Sequence, residues 1–186
     1  KEWGYGILVN PVANIELPKS AKPRTRRLVS NELSDLISNA EKQRNKYIST
    51  IIQFAVETGM RRSEILKLTW NDVNLDTGIA SLYDTKNGDD RHIPLTKTAI
   101  KLLSNLTQLS EFVFPISANC LRLAWERCRN KSNIKGLRFH DLRHEAVSRF
   151  FEMALSVPEV ALISGHKDVR QLFRYTHLKP ENLIAK

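Results

Sequence analysis

The chain has 186 residues, 41% hydrophobic and 26% charged, with a formal net charge of +9. That is enough for one domain with a proper core, in an ordinary globular balance rather than a disordered or fibrous one. No run of about 18 apolar residues occurs, which excludes a helix spanning a membrane, and the basic excess favours an anionic partner, most commonly a nucleic acid.

A basic protein without such a partner is the plainer alternative. The clustering of the charge argues against it: Lys19 to Arg27 holds five basic residues and no acid, and Arg122 to Arg143 holds seven against Glu126 and Asp141. Cys120 and Cys128 would lie roughly 12 Å apart along one helix, too far for a disulfide. A reducing, intracellular setting is therefore expected. No signal peptide is visible at Lys1. The chain opens mid-pattern without a Met, which reads as a piece of something longer.

Residues 1–18 carry Trp3, Tyr5, Ile7, Leu8 and Val9 before Asn10-Pro11 and Pro18. They read as the end of a helix and an extended connector. Residues 19–27 read as a basic linker, either lying along a phosphate backbone or simply solvated. Ser30 can cap a helix holding Leu33, Leu36, Ile37 and Ala40. A second helix holds Ile48, Ile51, Ile52, Ala55 and Val56. Thr58-Gly59 interrupts, and a third begins around Glu64, Ile65 and Leu68, with Arg61 at the break.

From Asn74 to Leu95 the texture changes. Asp76-Thr77-Gly78 reads as a turn, and Ile79 to Tyr83 and Arg91 to Leu95 as antiparallel strands. The Asn87-Gly88 turn signal lies between them, with Lys86 beside it. Helices resume from Thr96 to about Leu106, from Asn119 to Asn130 and from His140 to Met153. A short one runs from Ser156-Val157-Pro158 to Gly165, and a last one from Asp168 to about His177. The predicted fold class is mainly α with a small antiparallel β-sheet, an α+β domain.

His140 and Arg143 stand three apart at a helix start and share a face. A guanidinium offers phosphate a fixed fork of donors, and a histidine can donate a hydrogen bond or move a proton. Taken alone, the pair could equally be a solvated basic helix start. Thr58 to Glu64 adds Arg61, the hairpin adds Lys86, Leu162-Ile163-Ser164-Gly165-His166 adds His166, and Arg174-Tyr175-Thr176-His177 adds Tyr175.

These pieces, T-G-x-R-x-x-E at 58–64, T-K-N-G-x-x-R-x-I-P-L at 85–95, H-D-L-R-H at 140–144, Gly165-His166 and Y-x-H at 175–177, resemble in order and spacing the catalytic domain of the tyrosine recombinases, the phage-integrase family. The resemblance runs from about Leu28 to Leu178. It implies a catalytic domain over 28–186, with 1–18 as the tail of a preceding core-DNA-binding domain and 19–27 as the linker. It implies the integrase catalytic-core fold and site-specific cleavage and rejoining of double-stranded DNA, in integration or recombination by a phage or mobile element. The protein would act as a homotetramer on paired sites, in the cytoplasm and associated with the nucleoid.

Residue by residue, the resemblance makes Tyr175 the nucleophile that leaves a 3′-phosphotyrosyl link. Arg61 and Arg143 would clamp the non-bridging oxygens, and Lys86 would protonate the leaving 5′-oxygen. His140 would assist proton transfer, His166 would hydrogen-bond the phosphate, and Glu64 would support the site from behind. Fixed guanidiniums can neutralise the phosphate, and the covalent link keeps the energy for rejoining. No cofactor, nucleotide or metal is therefore expected.

The plainer readings stand beside these. Tyr83 is expected to pack in the sheet, and Arg62 to lie on the surface or a DNA backbone. His144, four after His140, would suit a metal pair, but no third ligand has suitable spacing. His92 and His177 read as structural or exposed. Gln171 and Glu145 depart from Thr or Thr/Ser frequent in the family, which puts helix packing in question more than chemistry. The alternatives are strand cleavage of the type IB topoisomerase kind and a DNA-binding module without catalysis.

Overall fold

The computed structural model describes residues 26–83 and 90–176, together with Ile15 and Arg24. The domain is built around α2 (Tyr47–Thr58). Ile48, Ile51, Ile52, Phe54, Ala55 and Val56 are all buried, so this helix is apolar nearly all round and must be enclosed. Around it pack α1 (Glu32–Glu41), α4 (Lys97–Ser104) and α6 (Asp141–Glu152). Phe114 closes one end, its ring tilted against Phe54 at 5.6 Å.

α2 stops at Gly59, whose φ of +63° suits a residue without Cβ. A Cβ there would already touch Ala146 and Phe150 at 3.4 Å, so the end of α2 sits directly on α6. The short α3 (Arg62–Lys67) follows, then a single 3-10 turn at Trp70–Asp72. The sheet has three antiparallel strands in the order β1 (Val73–Asn74), β2 (Ile79–Leu82), β3 (Arg91–Pro94). Ala80 faces Ile93 and Leu82 faces Arg91. Period-2 alternation buries Arg91 and Ile93 and turns His92 and Pro94 outward. α5 (Ala118–Lys131) carries both cysteines as free thiols. α7 (Val157–Ser164) begins at a Ser156–Glu159 capping pair and ends at Gly165, φ +68°.

Four expectations need correction. Ser30 does not cap α1: it has φ +44°, Asn31 stands at the cap, and the Glu32 carboxylate takes the Val29 N–H instead. Tyr83 is not packed in the sheet. β2 ends at Leu82, and Tyr83 is 61% exposed. The last helix is two 3-10 turns, Val169–Gln171 and Phe173–Tyr175. Three residues per turn put Leu172 and Tyr175 in line; both are buried while Phe173 between them is exposed.

The described arginines of the basic linker are ion-paired rather than free, although the Arg24 side chain stays 37% exposed. Arg24 pairs with Asp141 at 2.7 Å, Arg26 with Glu32, and Arg27 with Glu145 and Glu152. This also accounts for Glu145. It is buried on α6 and accepts from Arg27, from the Leu28 N–H and from Arg149. A carboxylate at this point fastens the chain's approach to α6. Residues 1–14 lie outside the described residues, as do Lys86 and His177.

Candidate active site

Two glycine-capped helix ends supply the site's foundation. α2 ends at Gly59 and α7 at Gly165, and the backbone there turns two carbonyls toward Arg143. Its guanidinium donates to Gly59 O at 2.7 Å and to Ser164 O at 2.6 Å. The side chain is 5% exposed. Burial, and then the charge of Arg61, hold this guanidinium down at about 10. Neutral carbonyls orient the group without cancelling its charge, which stays available to an anion.

Glu64 organises the neighbouring charges. Its Oε1 accepts from Arg61 Nη1 and its Oε2 from Arg91 Nη2, both at 2.7 Å, and Oε2 also takes the Arg61 backbone N–H. Burial raises the carboxyl's proton affinity, but the hydrogen bonds and guanidiniums outweigh it and keep Glu64 below the usual carboxylate range. Arg61 also reaches Gly165 O at 3.4 Å. One carboxylate bonded to two guanidiniums, with that of Arg143 close by, leaves this cluster net positive. It lies beside the N-terminus of α6, the positive end of that helix's dipole, which favours an anion as well.

Gly165 is needed twice over. It has φ +68°, and a Cβ would fall 2.1 Å from Arg91 Nη1 and 2.9 Å from its Cζ. Gly165→Ala is expected to cost about 1–2 kcal/mol for the left-handed backbone alone, plus the expulsion of Arg91 from Glu64. For a chain this size that lowers the melting temperature by roughly 5 °C or more. An unchanged melting curve would contradict the packing described.

Three histidines complete the pocket. Ser164 Oγ donates to Val160 O, so it accepts from His166 Nδ1 at 2.6 Å, which leaves Nε2 for the pocket. Burial, then Arg143 and Arg61, hold His166 at about 4. His140 stands at the N-cap of α6 and is lowered by burial and then by Arg143. His144 meets His140 edge to face at 5.1 Å and stacks on Tyr175 at 5.6 Å with a 25° interplanar angle. Its Nδ1 is hydrogen-bonded to the Tyr175 hydroxyl. Burial, then His140, hold His144 at about 4. Tyr175 is 8% exposed, and burial pushes its phenol up against the pull of Arg174 and Arg143.

These shifts fix a pH dependence for folding. The unfolded chain binds protons on His144 and His166 near the ordinary value of 6.5, whereas the folded chain resists until about 4. Their contribution is complete above about 6.5 and is lost as pH falls toward 4. Glu64, Asp141 and Glu145, all lowered, give up theirs only at lower pH. Melting temperature is expected to fall already between pH 7 and 4.5, by an equivalent of about 2–4 kcal/mol after allowance for screening. Thermal melts across that range check it, and a flat midpoint down to pH 4.5 would contradict it.

The structure thus brings Arg61, His140, Arg143, His166 and Tyr175 into one cluster, with Glu64 bonded to Arg61 and Arg91. Two residues enter that sequence reasoning passed over. Arg91 was visible only as part of a motif. The available signal was a charge on the inward register of a strand, beside Ile93. His144 was weighed as a metal ligand, and its partner proves to be Tyr175. Among the described residues, no three His, Cys, Asp or Glu side chains gather as a metal site would require.

The domain is mostly helical, with a net-positive arginine cluster and a buried tyrosine close to it. The Phage integrase family model matches residues 26–182, and the chain belongs to that family. It is 42% identical over 187 residues to the shufflon-specific DNA recombinase of Escherichia coli, covering 100% of this chain and 48% of that protein. It is 35% identical over 177 residues to a putative integrase/recombinase of Haemophilus influenzae, covering 91% of this chain and 58% of that protein. The chain therefore spans about half the length of these curated relatives. Among solved structures, the catalytic domain of bacteriophage HP1 integrase matches with a TM-score of 0.70 at 23% identity, over 86% of this chain and 91% of that one. The Tn1549 transposon integrase in complex with circular intermediate DNA matches at 0.71 and 17% identity, over 88% of this chain and 66% of that one. These two show that the fold is that of integrase catalytic domains.

Proposed function

We propose that this chain is the catalytic domain of a site-specific DNA recombinase that cleaves and rejoins strands through a 3′-phosphotyrosyl intermediate. The observation that carries this is Arg143: a buried guanidinium held by two carbonyls, beside a buried tyrosine. Arg143 and Arg61 hold the non-bridging oxygens of the scissile phosphate, and Tyr175 Oη attacks phosphorus. Lys86 protonates the leaving 5′-oxygen, and His140 assists proton transfer. Glu64 fixes Arg61 in place.

His166 acts as a donor only once it is charged. Its Nδ1 proton is committed to Ser164, so Nε2 must gain a proton to bond the phosphate. The arriving anion matches the guanidiniums that now depress this histidine, and so favours that uptake. Alignment and charge neutralisation are what phosphoryl transfer needs, and exchange of one ester for another conserves the bond energy. The partner is double-stranded DNA, and the working assembly is four copies on two paired sites. The setting is a phage or mobile element acting in the cytoplasm on nucleoid DNA.

The test is covalent capture. The chain is incubated, with chelator, with nicked duplexes whose core is a randomised pool. Adducts that survive denaturation are isolated, and the released fragment is offered to polynucleotide kinase. An adduct releasing a fragment with a free 5′-hydroxyl is the expected result. An adduct through the 5′ end would overturn the chemistry, and DNA binding without any adduct would leave a binding module.

A further inference from the structure

We propose that His144 is the base that takes the phenolic proton of Tyr175. The inference rests on the phosphotyrosyl reading above and adds to it a residue and a step. The imidazole touches the reacting atom itself, because Nδ1 is hydrogen-bonded to Oη. The two rings lie nearly parallel, so the contact is held by packing as well as by the hydrogen bond. His140 meets His144 in a T-shaped contact at 5.1 Å between ring centroids. The geometry therefore gives the phenolic proton to His144.

The charged and titratable groups around His144 decide whether it can serve. On α6 these are His140, Asp141 and Arg143; on the last turn they are Arg174 and Tyr175. Burial first, then His140 and the arginines, keeps the imidazole neutral at physiological pH, so its lone pair is free to accept. Asp141 acts in the opposite sense and favours the imidazolium once it forms. A bound phosphate matches the arginines and lowers the cost of that second charge.

The step balances. Nδ1 accepts the Oη proton as the Oη–P bond forms and the P–O5′ bond breaks, and the leaving oxygen takes a proton from Lys86. On rejoining, the incoming 5′-hydroxyl returns that proton to Lys86, O5′–P forms and Oη–P breaks. His144 then gives its proton back to Oη.

Single-turnover cleavage of a nicked duplex captured from the randomised pool tests this, with His144→Ala, His144→Gln and Tyr175→Phe compared between pH 5.5 and 9. A Gln amide oxygen can accept the phenol's hydrogen bond but cannot take its proton. Both His144 variants are expected to slow about 10²–10⁴-fold, and their rate relative to wild type is expected to rise about tenfold per pH unit as hydroxide replaces the base. A substrate with sulfur at the bridging 5′ position needs no proton on its leaving group, and it should not rescue either variant. A Gln variant at wild-type rate would reduce His144 to positioning the phenol. Slowing that is independent of pH, or rescue by the sulfur substrate, would also overturn the assignment. Wild-type adduct with unaffected His144 variants sinks this inference alone, whereas no wild-type adduct sinks the recombinase reading beneath it.

Discussion

Tyr175→Phe is expected to abolish the covalent DNA adduct completely while leaving folding and DNA affinity close to wild type. The substitution removes one oxygen. The ring keeps its burial and its stack on His144. The lost hydrogen bond to His144 costs about 1 kcal/mol of stability, a small fraction of what a domain of this size holds. DNA affinity comes mainly from cationic contacts to many phosphates, and a phenol contributes none of them. Gel detection of the adduct and a salt titration of binding check the two halves separately. An adduct that persists in the variant would mean that another residue is the nucleophile.

Arg143→Ala is expected to lower cleavage by about 10³–10⁵-fold, the scale on which a phosphate-stabilising arginine acts. The same change leaves Gly59 O and Ser164 O buried without their donor, at about 1–3 kcal/mol each. Stability therefore falls together with activity. Arg143→Lys separates the two effects. It keeps a charge but has no planar fork to span two carbonyls and a phosphate. It should recover part of the stability and little of the rate. Arg62→Ala is the control, since Arg62 is exposed at the start of α3; its cleavage rate on captured substrate should stay within a few-fold of wild type. Equal losses at 61, 62 and 143 would mean that the variants report general basicity rather than a built pocket.

How much of this was legible in the sequence follows from physical range. Local signals read well. The apolar stripe of α2, the Gly59 and Gly165 stops, the Asp76-Thr77-Gly78 turn and the two longer strands all depend on neighbours a few residues away. The choice of Arg61 over Arg62 came instead from the Thr-Gly-x-Arg register of the family the chain resembles; in the structure Arg61 bonds Glu64 and reaches Gly165 O.

Long-range pairings did not read. Nothing near Arg91 in sequence says that it bonds Glu64, 27 positions earlier. Nothing near His144 announces Tyr175, 31 positions later. The arginines of residues 24–27 looked like solvated or DNA-facing charge because their carboxylates lie more than a hundred positions away for Arg24 and Arg27. Glu145 looked like a departure for the same reason. The final segment was misread as one helix because Leu172, Phe173 and Tyr175 fit a helical stripe as well as they fit two 3-10 turns. Only the burial of Leu172 and Tyr175 on either side of the exposed Phe173 separates the two.

The most direct test of the account is to locate the nucleotide. The denaturation-resistant complex formed with captured nicked duplex would be digested with nuclease and protease, and the nucleotidyl peptide sequenced by mass spectrometry. The account requires the nucleotide on Tyr175, joined through a 3′-phosphate. A nucleotide on Tyr47, Tyr83 or any other residue, or a 5′-phosphate linkage, would contradict it.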